Sequence, residues 1–227
     1  MFPRFVPVGD HALLVEFADA ISEAATARVL DLDRALTAHP PDGLVEVVPG
    51  LVNLLVEFDP VTTTHEDIQA AVVPLLEQTA SSTKAAPLRQ VPVCYDADFA
   101  PDLSDVAARA GISEEAVIKA HLAGDYRVLM YGFAPGYAYM GGVPEAIQCP
   151  RKPSPVRDVP AGSLLIAGPQ CLISTLTMPT GWSIIGRVAT RVLTGDPARP
   201  FLFDVGDRVQ FTRVSRAEFE AGQGGVR

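Results

Sequence analysis

The chain has 227 residues, enough for one large or two modest domains and for a core that needs no disulfide or metal to hold it. Eighteen Lys and Arg against 27 Asp and Glu leave a formal charge of −9, which excludes the broad basic footprint of a nucleic-acid binder and disfavours an anionic membrane surface. Apolar residues at 48% and charged residues at 20% are ordinary globular proportions, so wholesale disorder is excluded as well.

Residues 4–17 read as two short strands about a Gly9-Asp10 turn. In residues 20–38 the apolar positions Ile21, Ala25, Val29, Leu32 and Leu36 recur at steps of three and four, predicting a helix that Pro40-Pro41 ends. Residues 43–58 predict a second strand pair turning at Pro49-Gly50. Residues 64–77 predict a second helix that starts near Thr63 or Thr64, with Pro74 forcing a kink or an early end. Strand, strand, helix, strand, strand, helix is the order of a two-layer α/β domain with both helices on one face of the sheet. The polar, small-residue stretch 78–87 reads as a linker, dividing the chain into domains 1–85 and 86–227.

The second part begins with a strand at 89–94 and helices at 103–110 and 113–122, the latter with Ser113 as N-cap and His121 in its last turn. After Gly124 short apolar runs (126–131, 163–167, 172–176, 183–188, 200–203 and 208–214) alternate with Gly and Pro, the signature of a small closed β structure. A terminal helical turn is expected at 216–220. The fold class is therefore α+β, a two-layer domain followed by a β-barrel.

No stretch approaches the ~18 apolar residues of a membrane span, and the N-terminus has no apolar core of signal-peptide length, so a cytoplasmic protein is expected. Cys94, Cys149 and Cys171 contain no CxxC and cannot all pair, so reduced thiols are expected. There is no P-loop, no GxGxxG after a strand, no HExxH and no GxSxG, and the four histidines are scattered; no metal site is expected.

The chemistry concentrates in residues 121–187. The segment 132–142 puts four glycines and three aromatics (Phe133, Tyr137 and Tyr139) in eleven residues, too irregular for a strand or helix; with Pro135 and Gly136 it is an ordered loop that either packs into its own core or forms the rim of a small-ligand pocket. Pro150 to Arg157 is a stiff, extended run whose Arg151, Lys152 and Arg157 are either solvated charges or carboxylate and phosphate binders. Trp182, the one tryptophan, is a core anchor or a ligand platform, and Arg187, behind Gly186, is a ligand candidate. His121 is either a core or capping histidine or a general acid–base.

These residues, from His121 through Gly132-Phe133-Ala134-Pro135-Gly136-Tyr137, Pro150-Arg151, Val159-Pro160-Ala161-Gly162-Ser163, Ala167-Gly168-Pro169-Gln170 and Gly181-Trp182 to Ile185-Gly186-Arg187, resemble the KipI / allophanate hydrolase subunit 1 family in order and over nearly the whole chain. The resemblance implies an N-terminal α/β domain and a C-terminal cyclophilin-like barrel. It implies the B-type component of an ATP-dependent amidohydrolase that resembles 5-oxoprolinase and opens 5-oxoproline to glutamate. Its implied partners are a C-type or allophanate hydrolase subunit 2-like protein and an A-type protein. ATP would be used by the complex. In that setting Phe133, Pro135, Gly136, Tyr137 and Tyr139, together with Arg151, Gln170 and Trp182, would bind substrate, and His121 and Arg187 would be catalytic. Two other activities of the family stand beside this one: inhibition of a histidine kinase, and a carboxyltransferase-like module of a urea-carboxylase-type system. The sequence departs from the family's pattern at Val156, Ser174 and Thr180, where an arginine, a tyrosine and a glycine are usual, and so its substrate could differ.

Overall fold

The computed structural model describes residues 3–78 and 86–224. Most of the expected linker, 78–87, lies outside the described residues. The chain divides into two compact units, Met1–Ala85 and Ala86–Arg227.

In the first unit β1 (Arg4–Val8), β2 (Ala12–Glu16), β3 (Leu44–Pro49) and β4 (Asn53–Phe58) form one antiparallel sheet in the order β1-β2-β4-β3. Period-two alternation sends Leu13, Val15, Leu54, Val56 and Phe58 into one core. Helices α1 (Glu23–Ala38) and α2 (His65–Gln78) close that core with Ala25, Val29, Leu32 and Leu36, and with Ile68 and Val72. Ser22 caps α1 through its hydroxyl, which accepts from the Ala25 amide at 3.2 Å. The cap leaves Ile21 outside the helix and 69% exposed, so the expected apolar stripe starts at Ala25. Thr64 caps α2, accepting from the Asp67 amide at 3.2 Å and donating to its carboxylate at 2.7 Å. The helix runs on through Pro74 to Gln78 rather than ending early.

Within α1, burial pushes the Asp33 carboxyl up to about 6, opposed only in part by Arg34. The folded value lies above the unfolded value near ~4, so the fold favours the protonated acid. The stability this contributes is fully present below pH 4 and is lost as the pH rises to 6. Hydrogen exchange of the α1 amides should therefore report a lower opening free energy at pH 7 than at pH 4. The Asp33→Asn variant should lose most of that dependence; an unchanged slope would contradict the assignment.

The second unit is a closed seven-strand barrel. Around it run β10 (Gln170–Ile173), β7 (Ala138–Gly141), β6 (Tyr126–Tyr131), β13 (Arg208–Arg213), β5 (Leu88–Cys94), β12 (Ser183–Val188) and β9 (Ser163–Ala167), which pairs back to β10. The barrel expectation holds, with two corrections inside it. Residues 138–141 of the glycine- and ring-rich segment are a barrel strand, because their amides find partners on both β6 and β10. Residues 200–203 contribute only an isolated bridge from Phe201 to Leu193. β5 and β13 pair in parallel; the other barrel pairs are antiparallel. A separate ribbon joins β8 (Val156–Val159) to β11 (Met178–Thr180).

Helices α3 (Leu103–Ala110) and α4 (Glu114–Leu122) contribute Leu103, Val106, Val117 and Ile118 to the barrel core, and α5 (Arg216–Gly224) follows β13. Asp207 is buried beside the start of β13, where its carboxylate accepts from Arg89 Nε at 2.7 Å and from the Asp204 amide at 3.1 Å. All three cysteines are free thiols and buried. No helix among the described residues is long and apolar enough to cross a membrane.

Candidate functional site

Between β6 and β7 the chain makes a tight reversal closed by the Tyr137 amide on Ala134 O at 3.0 Å and the Gly132 amide on Tyr137 O at 3.2 Å. Phe133 sits there at φ 70°, a left-handed conformation that costs a non-glycine residue on the order of 1–2 kcal/mol, and the residue is 76% exposed. From this apex the rings form a continuous row, Phe133 to Tyr137 at 5.5 Å, Tyr137 to Tyr139 at 5.8 Å and Tyr139 to Trp182 at 5.9 Å between centroids. The Arg151 guanidinium ends it, 5.6 Å from the Trp182 ring. Tyr137 and Trp182 are nevertheless buried at their base against Val159, Leu165 and Leu172. The loop thus does both things open to it in the sequence: it packs a small core and exposes an aromatic edge. Burial pushes the Tyr137 phenol up to about 12, and raises that of Tyr139 against the pull of Arg151. Both are neutral hydrogen-bonding groups at physiological pH.

The stiff proline-rich segment is pinned rather than free. Asp102, at the N-terminus of α3, accepts from Lys152 Nζ and from the Ile184 amide, each at 2.6 Å. Lys152 is therefore a structural cation, while Arg151 is left to the ring row.

Two expected residues lie elsewhere. His121 is fully buried: its Nδ1 is 2.8 Å from the Tyr95 hydroxyl, and its ring packs on Tyr126 and Phe211. Desolvation pulls its pKa down to about 3, so it is a neutral core imidazole. A proton carrier needs a path to substrate or water, and zero exposure gives His121 none; its expected catalytic role is replaced by a structural one. Arg187 follows Trp182 by five residues of β12, about 16 Å of strand, and does not join the ring row. Its Nη2 donates to Ala161 O at 3.2 Å and its guanidinium lies 5.7 Å from the Phe99 ring; among the described residues no carboxylate pairs with it. Gln170 begins β10 opposite Gly141, half-buried.

What sequence reasoning missed is a cleft of about 460 Å³ on the barrel. Its walls are the Ala161-Gly162 turn before β9, Ser174-Thr175 after β10 and the irregular segment from Ala189 to Leu193 after β12. The aromatic loop forms its neighbour: Thr175 Oγ1 donates to Pro135 O at 2.8 Å. A β-carbon on Gly136 would come within 2.9 Å of Leu193 and 3.1 Å of Phe201, so glycine is what lets the loop lie this close. No motif marks Thr190 or Arg191; the available signal was two irregular residues carrying a hydroxyl and a cation directly after a buried strand.

A family description of the carboxyltransferase domain, subdomain C and D, matches residues 3–203. The chain belongs to this family. It is 31% identical to the 5-oxoprolinase B subunit of Bacillus subtilis (strain 168), covering 94% of both chains. It is 33% identical to the protein of that name from Escherichia coli O157:H7, over 90% of this chain and 93% of that one. Among solved structures, TTHA0988 superposes with a TM-score of 0.79 at 36% identity; 91% of this chain is covered, and the chain spans about 40% of that longer protein. The conserved uncharacterized protein PH0987 from Pyrococcus horikoshii is 37% identical over 95% of this chain and 100% of its own, with a TM-score of 0.57. Urea amidolyase of K. lactis shares this fold, with a TM-score of 0.72 at 17% identity over 96% of this chain and 15% of that one. The resemblance read from the sequence is thereby borne out.

Proposed function

We propose that this chain is the B subunit of a heteromeric, ATP-dependent hydrolase that opens 5-oxoproline to glutamate, working in the cytoplasm with C-type and A-type partner proteins. The observation that carries this reading is end-to-end similarity: 5-oxoprolinase B subunits of B. subtilis and E. coli align with at least nine-tenths of this chain and of their own lengths.

A five-membered lactam resists hydrolysis because amide resonance makes its carbonyl a poor electrophile, and ATP hydrolysis supplies the driving force. Nothing in this chain's sequence marks an ATP site. The sequence lacks a glycine-rich phosphate loop. On this reading ATP is used by the assembled complex.

What this chain supplies is recognition. Phe133, Pro135, Gly136, Tyr137 and Tyr139 form a rim of rings and loop; Arg151 over Trp182 gives it a cationic end, and Gln170 adds a polar group on β10, which pairs with β7, while Arg187 lies apart on β12. Neutral phenols beside a guanidinium suit an amide and a carboxylate, and an exposed Phe133 suits a surface that a partner closes over.

The test is reconstitution with the products of neighbouring reading frames, 5-oxoproline and ATP. Glutamate and ADP should form together, and none should form from this chain alone. A well-folded complex that yields neither product refutes the reading.

A further inference from the structure

The 460 Å³ cleft has an unusual lining for so acidic a protein. With 27 Asp and Glu in the chain, none lines it among the described residues, and Arg191 is its one charged side chain. The adjoining hollow, which shares Ala189, Thr190 and Arg191, does include a carboxylate, Glu218, whose Oε2 accepts from the Ser215 amide and hydroxyl at 2.7 and 2.8 Å and which makes no ion pair with Arg191. Among the described residues Arg191 has no ion pair or side-chain hydrogen bond. The same holds for the Thr190 hydroxyl, and the amides of Ala189, Thr190 and Arg191 have no partner either. One wall of the cleft thus carries a hydroxyl, a guanidinium and three amides without protein partners, and such backbone donors take their partner from solvent or ligand. The acceptors of the opposite wall are already engaged: Ala161 O accepts from Arg187 Nη2 at 3.2 Å, Gly162 O from the Val188 amide at 2.8 Å, Ser174 O from the Gly162 amide at 2.7 Å and Ser174 Oγ from the Ser163 amide at 2.9 Å. Val188, Val192 and Leu193 supply apolar surface.

We infer that this cleft binds a small aliphatic carboxylate, with Arg191 and the 189–191 amides on the carboxylate and Val188, Val192 and Leu193 against its body. The volume falls within the range of small-molecule sites. Naming that carboxylate as 5-oxoproline rests on the proposed function; the cleft's preference for a carboxylate does not.

The experiment is calorimetric titration of the full chain with 5-oxoproline, lactate and 2-pyrrolidinone, which keeps the lactam and lacks the carboxylate. The variants are Arg191→Gln and Arg191→Lys, with Arg109→Gln, on α3, as a control. A carboxylate should bind, roughly tenfold or more tightly than 2-pyrrolidinone. Arg191→Gln should erase that preference, Arg191→Lys should restore part of it, and Arg109→Gln should leave it intact. Binding that ignores Arg191, or equal affinity for 2-pyrrolidinone, overturns the inference, as does no binding of either carboxylate. Arg191-dependent binding of lactate but not 5-oxoproline, with an inactive complex, upholds the cleft and sinks the 5-oxoprolinase reading. An active complex in which Arg191→Gln moves neither carboxylate binding nor the KM for 5-oxoproline does the reverse.

Discussion

Gly142→Ala should unfold the barrel in most of the conditions where the parent is stable, at a cost on the order of 4 kcal/mol. Gly142 follows β7 at φ 111°, which an L side chain rarely adopts, and a β-carbon there would sit 2.7 Å from the Asp125 carbonyl carbon, inside the contact distance of backbone that β6 holds in place. Gly168, in the β9–β10 turn, separates the two causes. It also has a positive φ, 52°, but no atom lies within 4 Å of its β-carbon position. Gly168→Ala should cost only the conformational penalty, about 1 kcal/mol. Trp182, the one tryptophan of the chain, lies in the barrel unit, so urea unfolding followed by its fluorescence reads both variants. Equal losses would mean that β7 is free to shift and that the close approach at Asp125 is not what fixes this turn.

The barrel should also weaken steeply in acid through His121. Its folded-state pKa of about 3 lies below the unfolded value near ~6.5, so the fold favours the neutral ring. The stability tied to that difference is fully present above pH 6.5 and is lost as the pH falls toward 3. Well below pH 6.5 the loss approaches ~1.4 kcal/mol per pH unit, hence on the order of 2–3 kcal/mol between pH 7 and pH 4.5. The groups facing the ring do not soften this. Burial raises the Tyr95, Tyr126 and Cys171 pKa values, so all three stay neutral and none supplies a countercharge to an imidazolium. His121→Gln keeps a polar partner for Tyr95 and removes the titration. Its Trp182-detected stability should be lower at pH 7 but flatter in acid, and a variant as acid-sensitive as the parent would clear His121. Asp33 gives the first unit the opposite slope over part of the same range, so the two units should respond to acid in different directions.

The local elements were readable because their causes are local. Ser113 caps α4, the three- and four-step spacing from Ala25 to Leu36 makes one helical face, and the alternation in β2 and β4 makes one sheet face. Errors came where a local signal met a distant partner. Residues 138–141 look like loop by their glycines, yet ladders from β6 and β10 make them a strand. Residues 200–203 look like strand by composition, yet only Phe201 finds a bridge. His121 looked like a candidate acid–base by type and lies in the core by position.

By itself, then, the sequence determined the helices, most strands, the α+β class and the family, because periodicity, capping and ordered motifs depend on neighbours a few residues apart. Tertiary structure alone decided the closure of the barrel, with β5 parallel to β13 across more than a hundred residues, and the site. The cleft joins residues 161–162, 174–175 and 189–193, and what suits it to the proposed carboxylate, amides and a cation without protein partners, depends on which groups the fold brings near in space.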